Sequence, residues 1–338
     1  MRVAILTRDY PPAIGGVATH VKGLVTALRG LGVEADLFVG SNDVKTLLLP
    51  FDIPPKRYDV VHVQSLPYGA FVFGTPMVAT VHSPVLEEFS HYRPALKVAS
   101  IPAVALERMS LSKAKAVLAV SAQSRSDLVG IYGLDQDKVD VIGNGVDSDR
   151  FSGQREEAPS SASRVLVVSR LEPRKNVMEA IEALAALPSG SCRLTVAGDG
   201  SEMNSLREGS RRLGVEASVE FLGRVEDQKL PGLYAGAAVF LTTSGSEGFG
   251  LSLLEAMASG CACIASDLPT HRSLIEDGVS GLIYRNKEEL IGCLRRALSS
   301  PENSQRMGEA ARRAAQGHSW AKVADKVVRA YEAAAGRA

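Results

Sequence analysis

The chain has 338 residues, 45% of them hydrophobic, with 38 basic side chains against 38 acidic ones. That length exceeds what one compact core usually holds, so two domains are expected, and the cancelled charge removes the electrostatic case for broad nucleic-acid binding or strong attraction to anionic lipid. Four cysteines, Cys192, Cys261, Cys263 and Cys293, are too few and too irregularly placed for a disulfide framework or a paired zinc site.

The start turns charged at Arg8-Asp9, too soon for a secretory segment. No run approaches the ~18 apolar residues of a spanning helix. The setting this implies is reducing and cytoplasmic, with at most peripheral contact on the cytoplasmic membrane face. The segment from Tyr92 to Lys115 mixes Arg93, Lys97, Arg108, Lys113 and Lys115 with apolar residues, so it fits either such contact or an ordinary amphipathic helix.

In chain order, short apolar runs at 3–7, 35–39, 60–63, 78–81, 117–120 and 139–142 read as strands separated by segments of helical period. They are apolar on both faces, as parallel strands covered by helices on each side should be. After the first run, Asp9-Tyr10-Pro11-Pro12-Ala13-Ile14-Gly15-Gly16 leads into a helix containing His20; its glycines are adjacent and late, unlike a dinucleotide fingerprint, which leaves a phosphate or acceptor loop. His82 follows the fourth run at a strand's carboxyl end, where ligands of such sheets gather. His62 lies inside a strand and His20 inside a helix, where structural roles are usual. Asn144-Gly145-Val146-Asp147 reads as a tight turn.

Between 149 and 164 the pattern lapses into polar residues around Gln154, Glu156 and Pro159, a domain linker. The alternation resumes at 165–168, 194–197, 219–222, 239–241, 262–265 and 282–284. The fold class is therefore α/β, with two doubly wound, Rossmann-like parallel-sheet domains: 1–150, and 151–317. A last helix in 318–338, with the only tryptophan, Trp320, is placed back on the first domain.

Arg170, Glu172, Arg174 and Lys175 leave the first strand of the second half. Arg170 and Lys175 at that edge suit a diphosphate and the charge that builds as it departs, while Arg174 reads as a surface residue. Gly198-Asp199-Gly200 is a further strand-to-helix turn without the dinucleotide spacing. The densest signal runs from Thr243 to Gly260, through Ser244-Gly245-Ser246-Glu247-Gly248-Phe249-Gly250-Leu251-Ser252-Leu253-Leu254-Glu255, where glycines admit a ligand to the backbone before a helix begins. Amides near Leu251 and Ser252 would face an anion, those of Gly248 to Gly250 sugar hydroxyls, and Glu247 and Glu255 could each clamp a diol. Either glutamate alone also fits a dipole-complementing or solvated helical position.

The ordered set Gly15-Gly16 with His20, His82, Ser121, Asn144 to Asp147, Arg170 with Lys175, Gly198 to Gly200, Phe221-Leu222-Gly223, and Glu247 with Glu255 resembles family 4 glycosyltransferases of the GT-B fold. The resemblance implies two domains facing a cleft and retention of anomeric configuration without a metal or other cofactor. It implies a nucleotide diphosphate sugar donor, a UDP- or GDP-sugar, and a glycan or lipid-linked hydroxyl acceptor. It places Arg170 and Lys175 on the diphosphate, Glu247 on the sugar, Glu255 on the ribose, and His82 beside the transferred sugar. Gly15, Gly16, Gly198, Gly248, Phe249, Gly250, Leu251 and Ser252 complete the donor set. The segment from Ser266 to Leu274, and Ser83 after His82, depart from the commoner family pattern; the former is similar to phosphatidylinositol mannosyltransferases. A sugar-nucleotide epimerase of the same build and a non-catalytic sugar-nucleotide binder are the alternatives.

Overall fold

The computed structural model describes residues 1–11, 13, 15–40, 43–54, 57–64, 66–84, 101–152 and 163–337. By its internal contacts the chain divides into two compact units, Met1–Gly145 with His318–Ala338, and Val146–Gly317.

The first unit holds β1 (Arg2–Thr7), β2 (Glu34–Val39), β3 (Val60–Val63), β4 (Met77–Val81), β5 (Ala116–Ala119) and β6 (Val139–Val141), all parallel in the order β2-β1-β3-β4-β5-β6. Side chains along a strand alternate between its faces. Val3 and Ile5 of β1 join Val21, Leu24 and Leu28 of the helix Gly16–Gly30 together with Val327 and Tyr331 of the helix Trp320–Ala334. Ala4 and Leu6 face the opposite core with Val61, Val63, Leu111 and Leu128. Both faces are dry, which is why the strands read as unbroken apolar runs.

The terminal helix is held on this unit by close packing. A Cβ at Gly23 or at Gly145 would collide with Trp320, so two glycines make the space its indole fills. Lys326 Nζ donates to the Val141 carbonyl at 3.1 Å.

The second unit holds β7 (Ser163–Val168), β8 (Cys192–Ala197), β9 (Val219–Gly223), β10 (Val239–Thr242), β11 (Ala262–Ser266) and β12 (Leu282–Tyr284), parallel in the order β12-β11-β10-β7-β8-β9. The chain winds one way from β7 to β9 and the other way from β10 to β12. β7 and β10 are neighbours, so the loops leaving their carboxyl ends diverge over one crevice, the switch point where open α/β sheets take ligands.

All twelve expected strands are present, with ends displaced by no more than two residues. The linker expectation needs correction at its start. Residues 149–151 pack within the second unit: Arg150 Nη2 pairs with Asp227 Oδ1 at 2.9 Å, and the buried Phe151 ring meets Tyr234. Gln154, Glu156 and Pro159 lie outside the described residues. So do Tyr92, Arg93 and Lys97 of the segment weighed for membrane contact. Its remainder forms the helix Ile101–Lys113, whose Lys113 Nζ donates to the Ala70 carbonyl at 2.6 Å. Among the described residues no helix is long and apolar enough to cross a membrane.

Candidate functional site

The two switch-point loops are stitched together. Gly245 N–H donates to the Arg174 carbonyl at 2.8 Å, and Thr243 Oγ1 donates to the Lys175 carbonyl at 2.9 Å. Lys175 ends a 3-10 turn, Pro173–Lys175, and Asn176 follows in the left-handed region at φ 48°, a conformation its short amide tolerates, before the helix Val177–Ala185 begins. This turn aims the Lys175 ammonium at Glu247, 72 residues away, and Nζ donates to Oε1. Ser244 Oγ donates to the same carboxylate oxygen at 2.8 Å.

Lys175 and Glu247 are only 11% and 12% exposed, so each charge depends on the other. Burial pushes the Glu247 carboxyl up, but the Lys175 charge and the hydrogen bonds from Lys175 and Ser244 more than offset it and leave its pKa below the usual range. Burial lowers the Lys175 pKa, partly countered by Glu247.

Arg174, expected as a surface residue, is the arginine nearer Glu247. Arg174 Nη1 lies 4.0 Å from Glu247 Oε2, and its Nε holds Glu172 at 3.1 Å. Arg170 is about half exposed and reaches Glu172 at 3.0 Å, with no bond to Glu247.

The helix Leu251–Ala258 opens on Gly250 at φ 96°, without a side-chain cap, so its first-turn amides are available to an anion. Gly250 needs its left-handed backbone, and Phe249 beside it is buried. Gly248, Leu251 and Ser252 sit on the same rim. Glu255 is buried one turn inside and accepts from Tyr234 Oη at 2.9 Å. Burial pushes its pKa up to about 7 against the opposing Tyr234 hydrogen bond and Arg150 charge.

His271, in the segment that departs from the family pattern, is fully buried beside this rim. Its Nδ1 donates to the Ser266 carbonyl at 2.9 Å, and its Nε2 has no partner. Gly198 serves packing: a Cβ there would strike the Ser169 carbonyl, so the glycine lets the loops after β7 and β8 meet.

Gly15, Gly16 and His82 belong to the first unit. Gly15, at φ 148°, is the residue before the helix Gly16–Gly30, at the carboxyl end of β1. His82 follows β4 and bonds Gln64 Oε1 through Nε2 at 3.0 Å. Asn144 is more than a turn residue: it is buried, and its Oδ1 bonds His20 Nδ1. Ser121 caps the helix Ala122–Tyr132 by accepting from Ser124 N–H at 3.0 Å.

Sequence reasoning missed Tyr234 and Gln64 as site neighbours, and took in Ser244 and His271 only as parts of their segments, without a role for either. Neither Tyr234 nor Gln64 carries a spacing that announces it. Among the described residues there is no group of three His, Cys, Asp or Glu side chains arranged to hold a metal. The four cysteines are free thiols.

Two doubly wound parallel sheets of this kind make the GT-B class of protein. Residues 148–314 match the family model for glycosyl transferases group 1, and 43–150 match that for glycosyltransferase family 4. The chain belongs to the family 4 glycosyltransferases. D-inositol 3-phosphate glycosyltransferase of Nocardia farcinica is 28% identical over 94% of this chain and 79% of its own length. Glycogen synthase of Mycobacterium tuberculosis is 27% identical over 99% and 95%. Among solved structures, sucrose-phosphate synthase from Thermosynechococcus elongatus superimposes with a TM-score of 0.86 at 20% identity, covering 98% of each chain. Anabaena HepE, in complex with UDP and glucose, gives 0.79 at 22% identity, covering 97% of this chain and 98% of its own.

Proposed function

We propose that this glycosyltransferase is retaining and metal-independent, and moves a hexosyl group, mannosyl or glucosyl, from a nucleotide diphosphate sugar to a glycan, lipid-linked or other hydroxyl acceptor. The observation that carries the reading is the buried Lys175–Glu247 pair beside an uncapped helix N-terminus at the switch point. It joins a cation and free amides for a diphosphate to a carboxylate for sugar hydroxyls.

An ammonium has three N–H groups, and Glu247 takes one among the described residues. The remaining donors, with the exposed Arg170 and the amides of Leu251 and Ser252, suit the oxygens of a departing diphosphate. The amides of Gly248 to Gly250 and the Glu247 carboxylate suit the sugar, and Glu255 suits the ribose diol. Gly15, Gly16, Gly198 and Phe249 shape the backbone around the ligand, and His82 is assigned to the transferred sugar on family resemblance. Fixed cations supply the charge stabilisation that a metal would otherwise give, which supports metal independence.

In the reaction, the acceptor oxygen forms a bond to the anomeric carbon on the face from which the diphosphate leaves. The bond from that carbon to the phosphate oxygen breaks, and the acceptor proton passes to the departing diphosphate. Catalysis rests on stabilising that leaving group and on orienting the reactants. The donor reading is also supported by HepE, which was solved with UDP-glucose. Calorimetric titration of UDP, GDP and ADP without added metal tests it: one nucleotide should bind the wild type and lose about tenfold or more with Lys175→Ala. Absence of binding by all three would remove the nucleotide-sugar reading.

A further inference from the structure

Behind His82 lies a buried chain of polar contacts that neither the family pattern nor the donor site requires. His82 Nε2 meets Gln64 Oε1 at 3.0 Å, and Gln64 Nε2 meets His62 Nε2 at 3.1 Å. Thr80 Oγ1 reaches the same His62 nitrogen at 2.7 Å. His62 Nδ1 meets Tyr331 Oη at 2.6 Å, across 269 residues of sequence. Gln64, His62, Thr80 and Tyr331 are all buried. The phenol comes from the terminal helix, so the end of the chain is wired to the strand that precedes His82.

The orientation of the Gln64 amide, oxygen toward His82 and nitrogen toward His62, sets the direction of these bonds. An amide nitrogen only donates, so His62 Nε2 is the acceptor, and its single lone pair is shared between Gln64 at 3.1 Å and the Thr80 hydroxyl at 2.7 Å. The His62 proton therefore sits on Nδ1 and is donated to Tyr331 Oη. The Gln64 amide oxygen only accepts, so His82 carries its proton on Nε2. Because Gln64 must donate to one ring and accept from the other, the two imidazoles are coupled: a proton on Nε2 of one excludes it from Nε2 of the other.

We propose that Tyr331, through His62 and Gln64, is a positioning residue that selects the Nε2–H tautomer of His82. His82 then presents the lone pair of Nδ1, which bonds nothing among the described residues. In that form it accepts a hydrogen bond from a substrate hydroxyl and does not donate one to a phosphate. Burial holds the three imidazoles neutral at neutral pH, His62 at about 3 and His20 at about 4, with His82 lowered as well. That leaves tautomer choice, not charge, as the variable. The importance of His82 to transfer rests on the glycosyltransferase reading above; the tautomer itself does not.

The test is the nitrogen-15 spectrum of the histidine side chains in the full-length protein at pH 7.5, with His62 and His82 assigned by single substitutions. The wild type should show His82 protonated at Nε2 and His62 at Nδ1. In Tyr331→Phe the His62 Nδ1–H loses its acceptor, so His62 should move its proton to Nε2, the Gln64 amide should turn, and His82 should become protonated at Nδ1. In Gln64→Glu both oxygens accept, so both rings should carry the proton on Nε2; this variant serves if the phenylalanine variant does not fold. For transfer, Tyr331→Phe should lower kcat about tenfold with donor KM nearly unchanged. An unaltered His82 tautomer in Tyr331→Phe, or His62 still protonated at Nδ1 in Gln64→Glu, overturns the relay while leaving the transferase reading intact. Failure of nucleotide binding in the wild type sinks the transferase reading while the spectra still decide the relay.

Discussion

Lys175 and Glu247 carry two burdens that substitution can separate. Removing the ammonium strands a carboxylate that is 12% exposed, and breaking a buried pair in this way costs about 3 kcal/mol. Lys175→Ala should therefore lower the midpoint of denaturant unfolding as well as nucleotide affinity. The double variant Lys175→Met with Glu247→Gln removes both charges at similar volume, and it should recover most of the stability but none of the nucleotide binding. Recovery of both would show that the pair is a strut alone. Because the Glu247 pKa is depressed in the folded protein, its share of the stability is present above the ordinary carboxylate range and is lost as the pH falls through the depressed value.

Glu255 shifts the other way, up to about 7. If its carboxylate clamps the ribose diol, only the deprotonated form does so, and nucleotide affinity should rise between about pH 6 and pH 8 and level off above. Its effect on folding has the opposite sign, since a raised pKa stabilises the folded state at low pH and that gain is lost as the pH rises through about 7. Calorimetry across this range checks the first statement, and Glu255→Gln should flatten the pH profile. Arg170 and Arg174 show where residue-level reading runs out: they are four positions apart in one loop, and only the turn at Pro173–Lys175 decides which faces Glu247.

Among the elements, the strands were legible because two-sided burial leaves an unbroken apolar run, and the glutamate loop was legible because glycines must precede its helix. Gly198 shows a limit of reading glycines from sequence, because one that admits a ligand and one that admits a neighbouring carbonyl have the same signature. Two other glycines make the same point as a prediction. A Cβ on Gly308, in the helix Pro301–Ala315, would collide with the Gly260 carbonyl at the end of the helix Leu251–Ala258. Gly292, exposed in the helix Lys287–Leu298, has nothing within 4 Å of that position. Gly308→Ala should destabilise by about 2 kcal/mol or more, whereas Gly292→Ala should stabilise by about 0.5–1 kcal/mol through helix propensity. Thermal unfolding of the two variants compares them directly.

For the molecule as a whole, the two-sheet build was legible in the alternation of apolar runs, and the family in the resemblance carried by its ordered motifs. What spacing could not reveal was long-range partnership. Tyr331 and His62 are 269 residues apart, and neither sits in a motif, so only the packing of the terminal helix on the first unit brings the phenol to the histidine. The same holds for Glu255, whose raised pKa comes from the surrounding burial, against the Tyr234 hydrogen bond, and not from its place seven residues after Gly248. Substrate choice is set by loops that a shared fold does not fix, which is why the sugar and acceptor are matters for experiment.

The most direct test of the proposed reaction is a nuclear magnetic resonance time course with UDP-glucose, GDP-mannose and ADP-glucose, each in excess EDTA with a panel of hydroxyl acceptors. The prediction is release of nucleoside diphosphate from one donor, with the α-linked sugar of that donor appearing α-linked in the product and turnover lost in Lys175→Ala. Turnover only on addition of a divalent metal, a β-linked product, or conversion of the nucleotide sugar without any acceptor would contradict it.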